Sequence, residues 1–511
     1  MLPMGAQISG VDPRHQSFTR AYNLVMRPNC SIPLAILLVA TQALVAADRF
    51  DPVRDFIRKG LVETGMPSIA VAVVKDGRIV WEEGFGWADR ENRIAATEHT
   101  MYSLASISKP FTATGLMVLA QRGKVDLDRS VNEYLGNAKV RARVGDAAGA
   151  TVRRIANHSS GLPLHVQFFY RNTPRRPPSM DETILRYGNL VTAPGERFQY
   201  SNLGFGILDY VIERVSGKSY GDFMREEVFV PLGLTHTSVH MSTALEQFAS
   251  ERYGREGLPV AYYDFDHTGA SAVWSSAHDL AGFAMFHLKT HVPEQKAILS
   301  DASIDAMQKP TFPSAENVGY GLAWVVTDTA GGYSVVSHNG AMHGVATTLR
   351  LVPSEKLAVT VLCNGSDQLP HRVADEIFKL MLPKWREPER RSGSTADFSA
   401  PAELKGAWSG KIVTYKGELP LTLRLLDSGE IHATMGDQMK MLVNEPRWEN
   451  QYLSGQFIGD LGTDDTGPGP ALIRLLLKLR GNQLNGSATA TALPGMRGGF
   501  NLTHWTELRR E

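Results

Sequence analysis

Two β-hairpin patterns stand far apart in this 511-residue chain, and the patterns between them are mostly helical. In residues 68–86, "SIAVAVVK" and "RIVWEEGFG" flank Asp76-Gly77, a dipeptide typical of a type I′ turn. The second hairpin pattern, "TLRLVPSEKLAVTVL", covers residues 348–362. Residues 202–217, which lie between the two, carry apolar side chains at helical spacing and end at a glycine. The chain is therefore predicted to form an α/β (α+β) domain. Its one antiparallel sheet would come from both ends of the domain, with flanking helices and a helical insert.

The composition changes beyond residue 382. Residues 383–401 are charged, contain Pro and Ser and are poor in aliphatic side chains, which is typical of a linker. Beyond this stretch, "LTLRLLDSGEIHATM" and "ALIRLLLKLRGNQLNGSATATA" read as short strands separated by turns. We therefore predict a first domain at 48–382, a linker at 383–401 and an all-β barrel or sandwich at 402–511. This second domain is expected to fold on its own and to modulate access to a site in the first.

The overall charge excludes some partners. Lys and Arg total 53, and so do Asp and Glu, which leaves a formal net charge of zero. The chain therefore lacks the basic surface that nucleic-acid binding requires, and nothing indicates a strongly charged partner of either sign.

The N-terminal segment has the pattern of a secretory signal peptide. "PLAILLVATQALVA" at 33–46 is uncharged but shorter than the roughly 20 residues of a membrane helix. Arg27 precedes it, and small residues end at Ala47. We expect residues 1–47 to be cleaved near Ala47, giving a periplasmic or secreted protein without a membrane span. Initiation at Met26 would give a signal of more normal length, and an uncleaved anchor is the alternative.

The chain has two cysteines, Cys30 and Cys363. Removal of the signal segment would remove Cys30, so no disulfide is expected within the mature chain. Cys363 ends an apolar strand pattern, and we interpret it as a small buried residue rather than a nucleophile.

The stretch "LASISKPF" at 104–111 places Ser106 and Lys109 three residues apart. If a helix begins near Ser106, the two side chains share one face, and Pro110 is tolerated in the first turn. The free N–H groups of a helix start could then bind a developing oxyanion. A partly desolvated lysine there would have a lowered pKa and could act as a base. Taken alone, the same pattern fits a serine N-cap followed by a solvent-exposed lysine.

Two further stretches carry candidate residues. Tyr200 and Asn202 stand immediately before a helical pattern, where a phenol and an amide could both reach a nucleophilic serine. His338 and Gly340 follow a strand pattern, and the glycine would permit close approach of a ligand to an edge strand. The alternatives are a core tyrosine with an asparagine helix cap, and a glycine-containing hairpin turn.

Together and in this order, the three stretches resemble the serine β-lactamase and penicillin-binding protein superfamily, whose motifs are S-x-x-K, a tyrosine motif ending in Asn, and K-T-G. "IANHSSGLP" and "FVPLGLTHTS" are also similar to the class C β-lactamase-like branch. That branch includes D-stereospecific peptidases and carboxylesterases. The resemblance covers about residues 50–382 and implies the β-lactamase-like fold for that region.

The resemblance also implies roles for individual residues. Ser106 would be the acylated nucleophile, Lys109 would take its proton, and Tyr200 would share the acid–base work. Asn202 would position the substrate amide. The backbone N–H groups of Ser106 and of Ala341, which follows Gly340, would form the oxyanion hole. The resemblance implies neither a cofactor nor a metal.

The third motif departs from the family pattern. His338 and Asn339 stand where typical β-lactamases have lysine and threonine. With a usual pKa of about 6.5, His338 would be mostly neutral at pH 7 and charged below about pH 6. It would then provide no fixed positive charge for a β-lactam carboxylate.

The C-terminal region, which true class C β-lactamases lack, points the same way. The resemblance therefore implies a serine hydrolase acting through an acyl-enzyme on small ester, amide or peptide substrates, of the carboxylesterase or D-amino-acid peptidase type and weak on β-lactams. One alternative is a true β-lactamase or D-Ala-D-Ala carboxypeptidase. Another is a penicillin-binding sensor or scaffold that acylates without turnover.

Three other motifs were weighed. "GKSYG" matches the G-x-S-x-G nucleophile pattern, but it follows a helical pattern, so Ser219 is interpreted as the N-cap of a following helix. His236 and His240 have i, i+4 spacing without the glutamate of zinc proteases. "YDFDH" at 263–267 clusters two acids with a histidine. Metal binding is open at both histidine sites, with loop polarity the favoured interpretation.

Overall fold

The computed structural model describes residues 48–290, 292–329, 331–386, 398–467, 469–493 and 499–511. The predicted signal segment up to residue 47, with Cys30, lies outside the described residues, and so does most of the predicted linker, residues 387–397. Both therefore stay predictions.

The α-helices follow one another along the part of the chain before the predicted linker. In chain order they are α1 Asp51–Thr64, α2 Ser108–Gln121, α3 Val152–Ala156, α4 Met180–Tyr187, α5 Asn202–Ser216, α6 Tyr220–Met224, α7 Thr243–Glu246, α8 Thr268–Ser271, α9 Ala277–His287, α10 Asp301–Gln308 and α11 Leu369–Met381. Among the described helices, none combines the length and the apolar character that crossing a bilayer would need.

The same part of the chain holds seventeen of the described strands. They are β1 Ser68–Lys75, β2 Arg78–Asp89, β3 Ile94–Ala95, β4 Tyr102–Ser103, β5 Arg141–Ala142, β6 Val166–Gln167, β7 Phe169–Tyr170, β8 Asn189–Leu190, β9 Thr237–Ser238, β10 Tyr263–Asp264, β11 Trp274–Ser275, β12 Phe312–Ala315, β13 Val318–Tyr320, β14 Val325–Asp328, β15 Ser334–Met342, β16 Val345–Val352 and β17 Leu357–Cys363.

The remaining described strands lie in the C-terminal region. They are β18 Gly406–Thr414, β19 Gly417–Leu425, β20 Ile431–Met435, β21 Met441–Leu442, β22 Asn444–Glu449, β23 Tyr452–Gly459, β24 Ala471–Arg480, β25 Gln483–Thr491 and β26 Phe500–Arg510.

The first hairpin forms as the turn dipeptide predicts. Asp76 and Gly77 have φ angles of 51° and 74°, so both central residues are left-handed, as a type I′ turn requires. Strand β1 is buried on both faces because alternate side chains enter two different cores. Val71 and Val73 pack with α1 and α11, whereas Ala70 and Ala72 face the larger core that contains α2 and α5.

The central sheet is built from both ends of the first domain, as predicted. Its strand order is β12-β13-β14-β15-β16-β17-β1-β2-β3, so the N-terminal strand β1 lies directly beside β17. The two strands are antiparallel, with Ala72 opposite Thr360. Most of the helices lie in the stretch between β3 and β12, which is the predicted helical insert.

The C-terminal region is all-β, as predicted, and its sheet is nearly barrel-shaped. The strand order is β21-β20-β19-β18-β26-β25-β24-β23-β22. Its two edge strands, β21 and β22, are consecutive in the chain, so the sheet must curl until its edges meet. The inward side chains of β24 alternate with more exposed ones and form a core of their own with those of β18 and β19.

This C-terminal sheet also contacts the first domain directly. Strand β26 pairs with β6, with Phe500 opposite Gln167, and Leu502 packs in the large core of the first domain. The buried carboxylate of Asp465 accepts hydrogen bonds from Arg186 at 2.9 Å and Tyr187 at 2.5 Å. The domain boundaries stay a prediction, but the two regions share a strand pairing and part of a core in addition to the connecting chain.

Candidate active site

The candidate nucleophile lies on a tight turn that leads into α2. Residues Ala105–Ile107 form a 3₁₀ turn, and the α-helix begins at Ser108, slightly later than the predicted start near Ser106. Ala105 has a φ of 49°, a left-handed conformation that is uncommon outside glycine. Backbone strain of this kind is frequent beside functional residues. The turn leaves the side chain of Ser106 partly exposed.

Lys109 reaches back to Ser106 with an Nζ to Oγ distance of 3.0 Å. Its Nζ also lies 2.8 Å from Asn202 Oδ1 and 3.0 Å from the carbonyl oxygen of Ala270. A neutral amine can donate its two N–H groups to these two oxygens, which leaves its lone pair for the Ser106 hydroxyl.

The structure corrects the expected exposure of Lys109. The side chain is fully buried, not partly exposed. Burial lowers the pKa of the Lys109 amine well below its usual value of 10.5. Among the described residues no carboxylate pairs with it, so the protein does nothing to hold its positive charge. The free amine is the form that can take a proton from serine.

Tyr200 lies beside this pair. The Lys109 Nζ is 4.8 Å from the centroid of the Tyr200 ring. Burial raises the pKa of the Tyr200 phenol above its usual value of 10, and a hydrogen bond with Ser106 partly counters that rise. The phenol therefore carries its proton at neutral pH and is suited to donate it to a leaving group.

Asn202 is fixed at both ends of its amide. It is the first residue of α5, and the preceding Ser201 caps the helix by accepting a hydrogen bond from the Gly204 N–H at 2.9 Å. The Asn202 Nδ2 donates to the carbonyl oxygen of His165 at 2.8 Å, while Oδ1 accepts from Lys109. These two partners define which end of the amide is oxygen.

Gly340 allows strand β15 to run against the nucleophile turn. A Cβ atom at this position would lie 2.1 Å from the carbonyl oxygen of Leu104 and 2.2 Å from Thr347 Oγ1, far inside contact distance. The neighbouring strand β14 pairs with β15 only as far as Ser337. Beyond it, the described structure leaves that edge of β15 without a strand partner, and Ala341 lines the cavity beside Ser106. This placement fits the predicted oxyanion hole.

His338 is held in a neutral form. Its side chain is only 4% exposed, with Nδ1 2.8 Å from the carbonyl oxygen of Asn339 and Nε2 2.9 Å from the Tyr320 hydroxyl. Nδ1 therefore donates to the carbonyl, and Nε2 accepts from the phenol. Burial, reinforced by the nearby Lys109, lowers the pKa of His338 to about 3. The expectation that His338 becomes charged below about pH 6 is wrong, because the buried ring has no place for the second proton.

A second histidine supports the tyrosine motif, and sequence reasoning missed its role. His158 is buried, with its ring centroid 4.2 Å from that of Tyr200 and 4.8 Å from that of Tyr320. Its Nδ1 accepts a hydrogen bond from the Ser201 N–H at 3.1 Å. It therefore packs behind the segment that carries the candidate acid. The sequence signal was the stretch "IANHSSGLP", noted only as part of the resemblance.

The candidate residues open into a cavity of about 390 Å³. Both regions of the chain contribute to its wall, which is formed by Ser106, Val166, Phe168, Asn202, His267, Ser271, Ala341, Met342, His343, Thr491, Ala492, Gly499, Phe500 and Asn501. The residues beyond 490 belong to the C-terminal sheet. Local sequence patterns carried no sign that this region borders the active site.

The stretch "YDFDH" contributes to the same site. Asp266 and His267 are buried, so loop polarity is the wrong interpretation for these two residues. The Asp266 oxygens lie 2.8 Å from His165 Nε2 and 2.7 Å from His267 Nδ1. The three groups lie close enough together to bind a metal, but the distances are those of hydrogen bonds within the triad.

The other motifs carry no comparable site. Ser219 is the N-cap of α6 and accepts a hydrogen bond from the Asp222 N–H at 3.1 Å, as predicted. His236 packs against the rings of His99 and Phe248. Among the described residues, neither His236 nor His240 belongs to a group that could hold a metal ion.

Comparison with known proteins agrees with this geometry. The protein-family model described as Beta-lactamase matches residues 53–380, most of the chain, which therefore belongs to the β-lactamase family. The catalytic type expected from the sequence, a serine hydrolase of the β-lactamase-related kind, is the one that this membership supports.

Two curated relatives and one solved structure illustrate the similarity. The unguisins hydrolase ungD' of Aspergillus campestris is 31% identical over 342 residues, which are 62% of this chain and 62% of the relative. Penicillin-binding protein 4* of Bacillus subtilis is 27% identical over 329 residues, 60% of this chain and 69% of the relative. This chain thus covers about two thirds or less of the length of either relative.

The structure of SurE with D-Leu matches with a TM-score of 0.60 and 20% identity. The match covers 91% of this chain and 99% of that one. At this level of identity it shows a shared fold, including most of the C-terminal region.

Proposed function

We propose that this protein hydrolyses small ester or amide substrates through an acyl-enzyme on Ser106, as a carboxylesterase or D-amino-acid peptidase with weak activity on β-lactams. One observation carries the proposal: the buried amine of Lys109, 3.0 Å from Ser106 Oγ, has a lowered pKa and its other donors already engaged. This is the arrangement of a base dedicated to a serine nucleophile.

Acylation follows from these positions. Ser106 Oγ attacks the substrate carbonyl carbon while its proton passes to Lys109 Nζ. The carbonyl oxygen becomes an oxyanion in the hole assigned to the N–H groups of Ser106 and Ala341. The phenol of Tyr200 protonates the leaving alcohol or amine as the bond to carbon breaks, and it recovers a proton from Lys109. The acyl group then remains on Ser106.

The neutral His338 supports the choice of substrate. The carboxylate of a β-lactam gains from a fixed positive charge at this position, and a buried histidine with a pKa of about 3 provides none. Esters and amides without a carboxylate lose nothing by its absence. The apolar side chains of Phe168, Met342 and Phe500 in the cavity wall favour small apolar substituents.

The relatives support amide substrates that contain D-residues. One of them is named as a hydrolase of unguisins, and the solved structure with a similar fold is that of SurE with D-Leu. Neither name decides between ester and amide, so the two classes are compared directly in the experiment.

The experiment is a substrate panel on the full chain, made of p-nitrophenyl esters of increasing acyl length, D-amino-acid amides and nitrocefin. We expect hydrolysis of a short ester or a D-residue amide, and slow nitrocefin turnover. A fluorophosphonate should label Ser106, and Ser106→Ala should abolish both labelling and hydrolysis. Ser219→Ala, which removes the serine of the competing motif, is the matched control and should leave both unchanged.

Three outcomes would contradict the proposal. Rapid nitrocefin turnover with no ester or amide hydrolysis would identify a true β-lactamase or a carboxypeptidase. A stoichiometric acyl adduct without steady-state release would identify a penicillin-binding sensor. Labelling at Ser219 would place the nucleophile elsewhere.

A further inference from the structure

We propose that His267, paired with Asp266, is the base that activates the water molecule which hydrolyses the acyl-enzyme. This inference rests on the proposed function, because it assigns the second half of that reaction. It gives a role to the "YDFDH" stretch, which the acylation step leaves unused.

His267 presents one ring nitrogen to the site. The side chain is 1% exposed and lines the cavity together with Ser106 and Asn202. Its Nδ1 lies 2.7 Å from Asp266 Oδ1, so this nitrogen carries the proton and donates it to the carboxylate. Nε2 therefore keeps its lone pair, and it makes no hydrogen bond with any residue in the described ranges. A water molecule in the cavity is the partner that this atom requires.

The tautomer of His267 is fixed by a saturated carboxylate. Asp266 also accepts hydrogen bonds from His165 Nε2 at 2.8 Å and from Thr183 Oγ1 at 3.3 Å. Burial opposes ionisation of this carboxyl group, but the interactions with the two histidines outweigh it and hold its pKa below the usual value. A buried, ionised carboxylate on Nδ1 stabilises the imidazolium that forms when Nε2 takes a proton.

The pair is held rigidly beside the acylation machinery. His267 immediately precedes α8, whose Ala270 carbonyl accepts from Lys109. A Cβ atom on Gly269 would lie 2.7 Å from the Cβ of Asp209, so α8 packs directly against α5. On the other side, the carbonyl of His165 accepts from Asn202. The pair therefore shares its supports with the residues that form the acyl-enzyme.

Lys109 is poorly placed to serve both steps. Its N–H groups donate to Asn202 and Ala270, and its lone pair faces Ser106 Oγ. A water molecule that attacks the acyl carbon must keep clear of Oγ, which is already bonded to that carbon. It needs a second acceptor in the cavity, and the free Nε2 of His267 is such an acceptor.

The step balances without a co-reactant other than water. The water oxygen bonds to the acyl carbon as one of its O–H bonds breaks, and that proton goes to His267 Nε2. The carbonyl oxygen carries the negative charge until the bond between carbon and Ser106 Oγ breaks. Oγ then takes the proton from the imidazolium, which restores both residues and releases the carboxylic acid.

The test is pre-steady-state kinetics of the full chain with a p-nitrophenyl ester that the wild type hydrolyses. We compare the wild type with His267→Gln and Asp266→Asn, using His236→Gln as the control for loss of a histidine outside the cavity. In the His267 variant the burst of p-nitrophenol should keep its rate and amplitude, while steady-state turnover falls about 10²-fold or more, the usual contribution of a general base. Intact-protein mass spectrometry should then show the acyl group accumulating on Ser106.

The role of Asp266 is tested by the pH profile of turnover. Asp266, His165 and Lys109 are the charged or titratable groups that act on His267. Burial lowers the pKa of His267, and the hydrogen bond to Asp266 raises it again in part. Asp266→Asn removes that support, so the fall of kcat at acid pH should move to lower pH. A merely structural loss would reduce kcat by the same factor at every pH.

Several results would overturn the inference. One is a burst and a steady state that fall together in a His267 variant whose circular dichroism is native. A second is unchanged turnover in that variant, and a third is loss of wild-type turnover on chelation, which would make the triad a metal site. Wild-type hydrolysis that survives Ser106→Ala would instead overturn the proposed function, and this inference with it.

Discussion

Glu196 joins the segment that carries Tyr200 to the C-terminal sheet, and its replacement should weaken both stability and activity. Its carboxylate accepts from Arg480 at 2.7 Å, from Lys478 at 2.5 Å and from the Tyr452 hydroxyl at 2.9 Å. These three partners all lie in the C-terminal region. The N–H of Ala193 also donates to it at 3.0 Å.

The size of the effect follows from the pKa of this carboxyl group. Burial opposes its ionisation, but hydrogen bonds from Lys478, Ala193 and Tyr452 outweigh that effect and lower the pKa of Glu196 from 4.5 to about 2. The side chain is only 15% exposed, so solvent screens these contacts weakly. At about 1.36 kcal/mol for each pKa unit, the ionised form contributes at most about 3 kcal/mol to the free energy of unfolding.

The sign of the pH dependence is fixed by the lowered pKa. The contribution is complete above the unfolded value of 4.5 and is lost as the pH falls towards about 2. Glu196→Gln should therefore destabilise the protein by up to about 3 kcal/mol at pH 7 and by only about 1 kcal/mol at pH 3. Its kcat should also fall, because the segment that holds Tyr200 loses an anchor.

Urea unfolding at pH 7 and pH 3, followed by fluorescence and circular dichroism, measures this difference. The control is Glu418→Gln, which removes an exposed carboxylate 2.7 Å from Lys411 and should change stability little at either pH. An equal loss of stability at pH 7 and pH 3 would refute the reasoning, because the effect would then not depend on the charge of Glu196.

Two further predictions concern the candidate catalytic residues. Lys109→Met, which fills the buried space better than alanine, should leave the fold intact by circular dichroism and lower kcat for the preferred substrate by about 10² or more; near-wild-type turnover would exclude Lys109 as the base. His338→Lys should raise kcat/KM for nitrocefin by about 10- to 100-fold, the value of a charge-assisted hydrogen bond of about 1.5–3 kcal/mol, and change short esters little. In the wild type the ratio of nitrocefin to ester turnover should stay constant from pH 8 to pH 5, because His338 has a pKa of about 3; a rise at acid pH would show that the ring takes up a proton.

Local patterns predicted the parts of the fold that local chemistry determines. The left-handed φ angles of Asp76 and Gly77 follow from the turn dipeptide, and the C-cap of α5 at Gly217 follows from the end of its apolar pattern. The spacing of Ser106 and Lys109 sufficed to place them in contact, although the α-helix begins later than expected.

Local patterns could not reveal what depends on packing between distant segments. Lys109 is fully buried because α5 and α8 both pack against α2, and no spacing within residues 104–111 contains that information. The same holds for Asp266 and His267, whose buried partner His165 lies far away in the chain. The pairing of β26 with β6, which brings Phe500 to the cavity, depends on a register between distant strands.

Gly340 shows how the fold decides between two meanings of one motif. The sequence left open a hairpin turn or a close approach of backbone at "HNGAMHG". The turn between β15 and β16 is made by Gly344, whose φ of 75° is left-handed, whereas Gly340 lies within the strand opposite Thr347. There its missing side chain lets β15 lie against the carbonyl of Leu104, two residues before Ser106. Any side chain would push β15 away from the nucleophile turn and so separate Ala341 from Ser106. The glycine of the third motif is therefore required by the distance between the two halves of the oxyanion hole, and not by the turn that follows it.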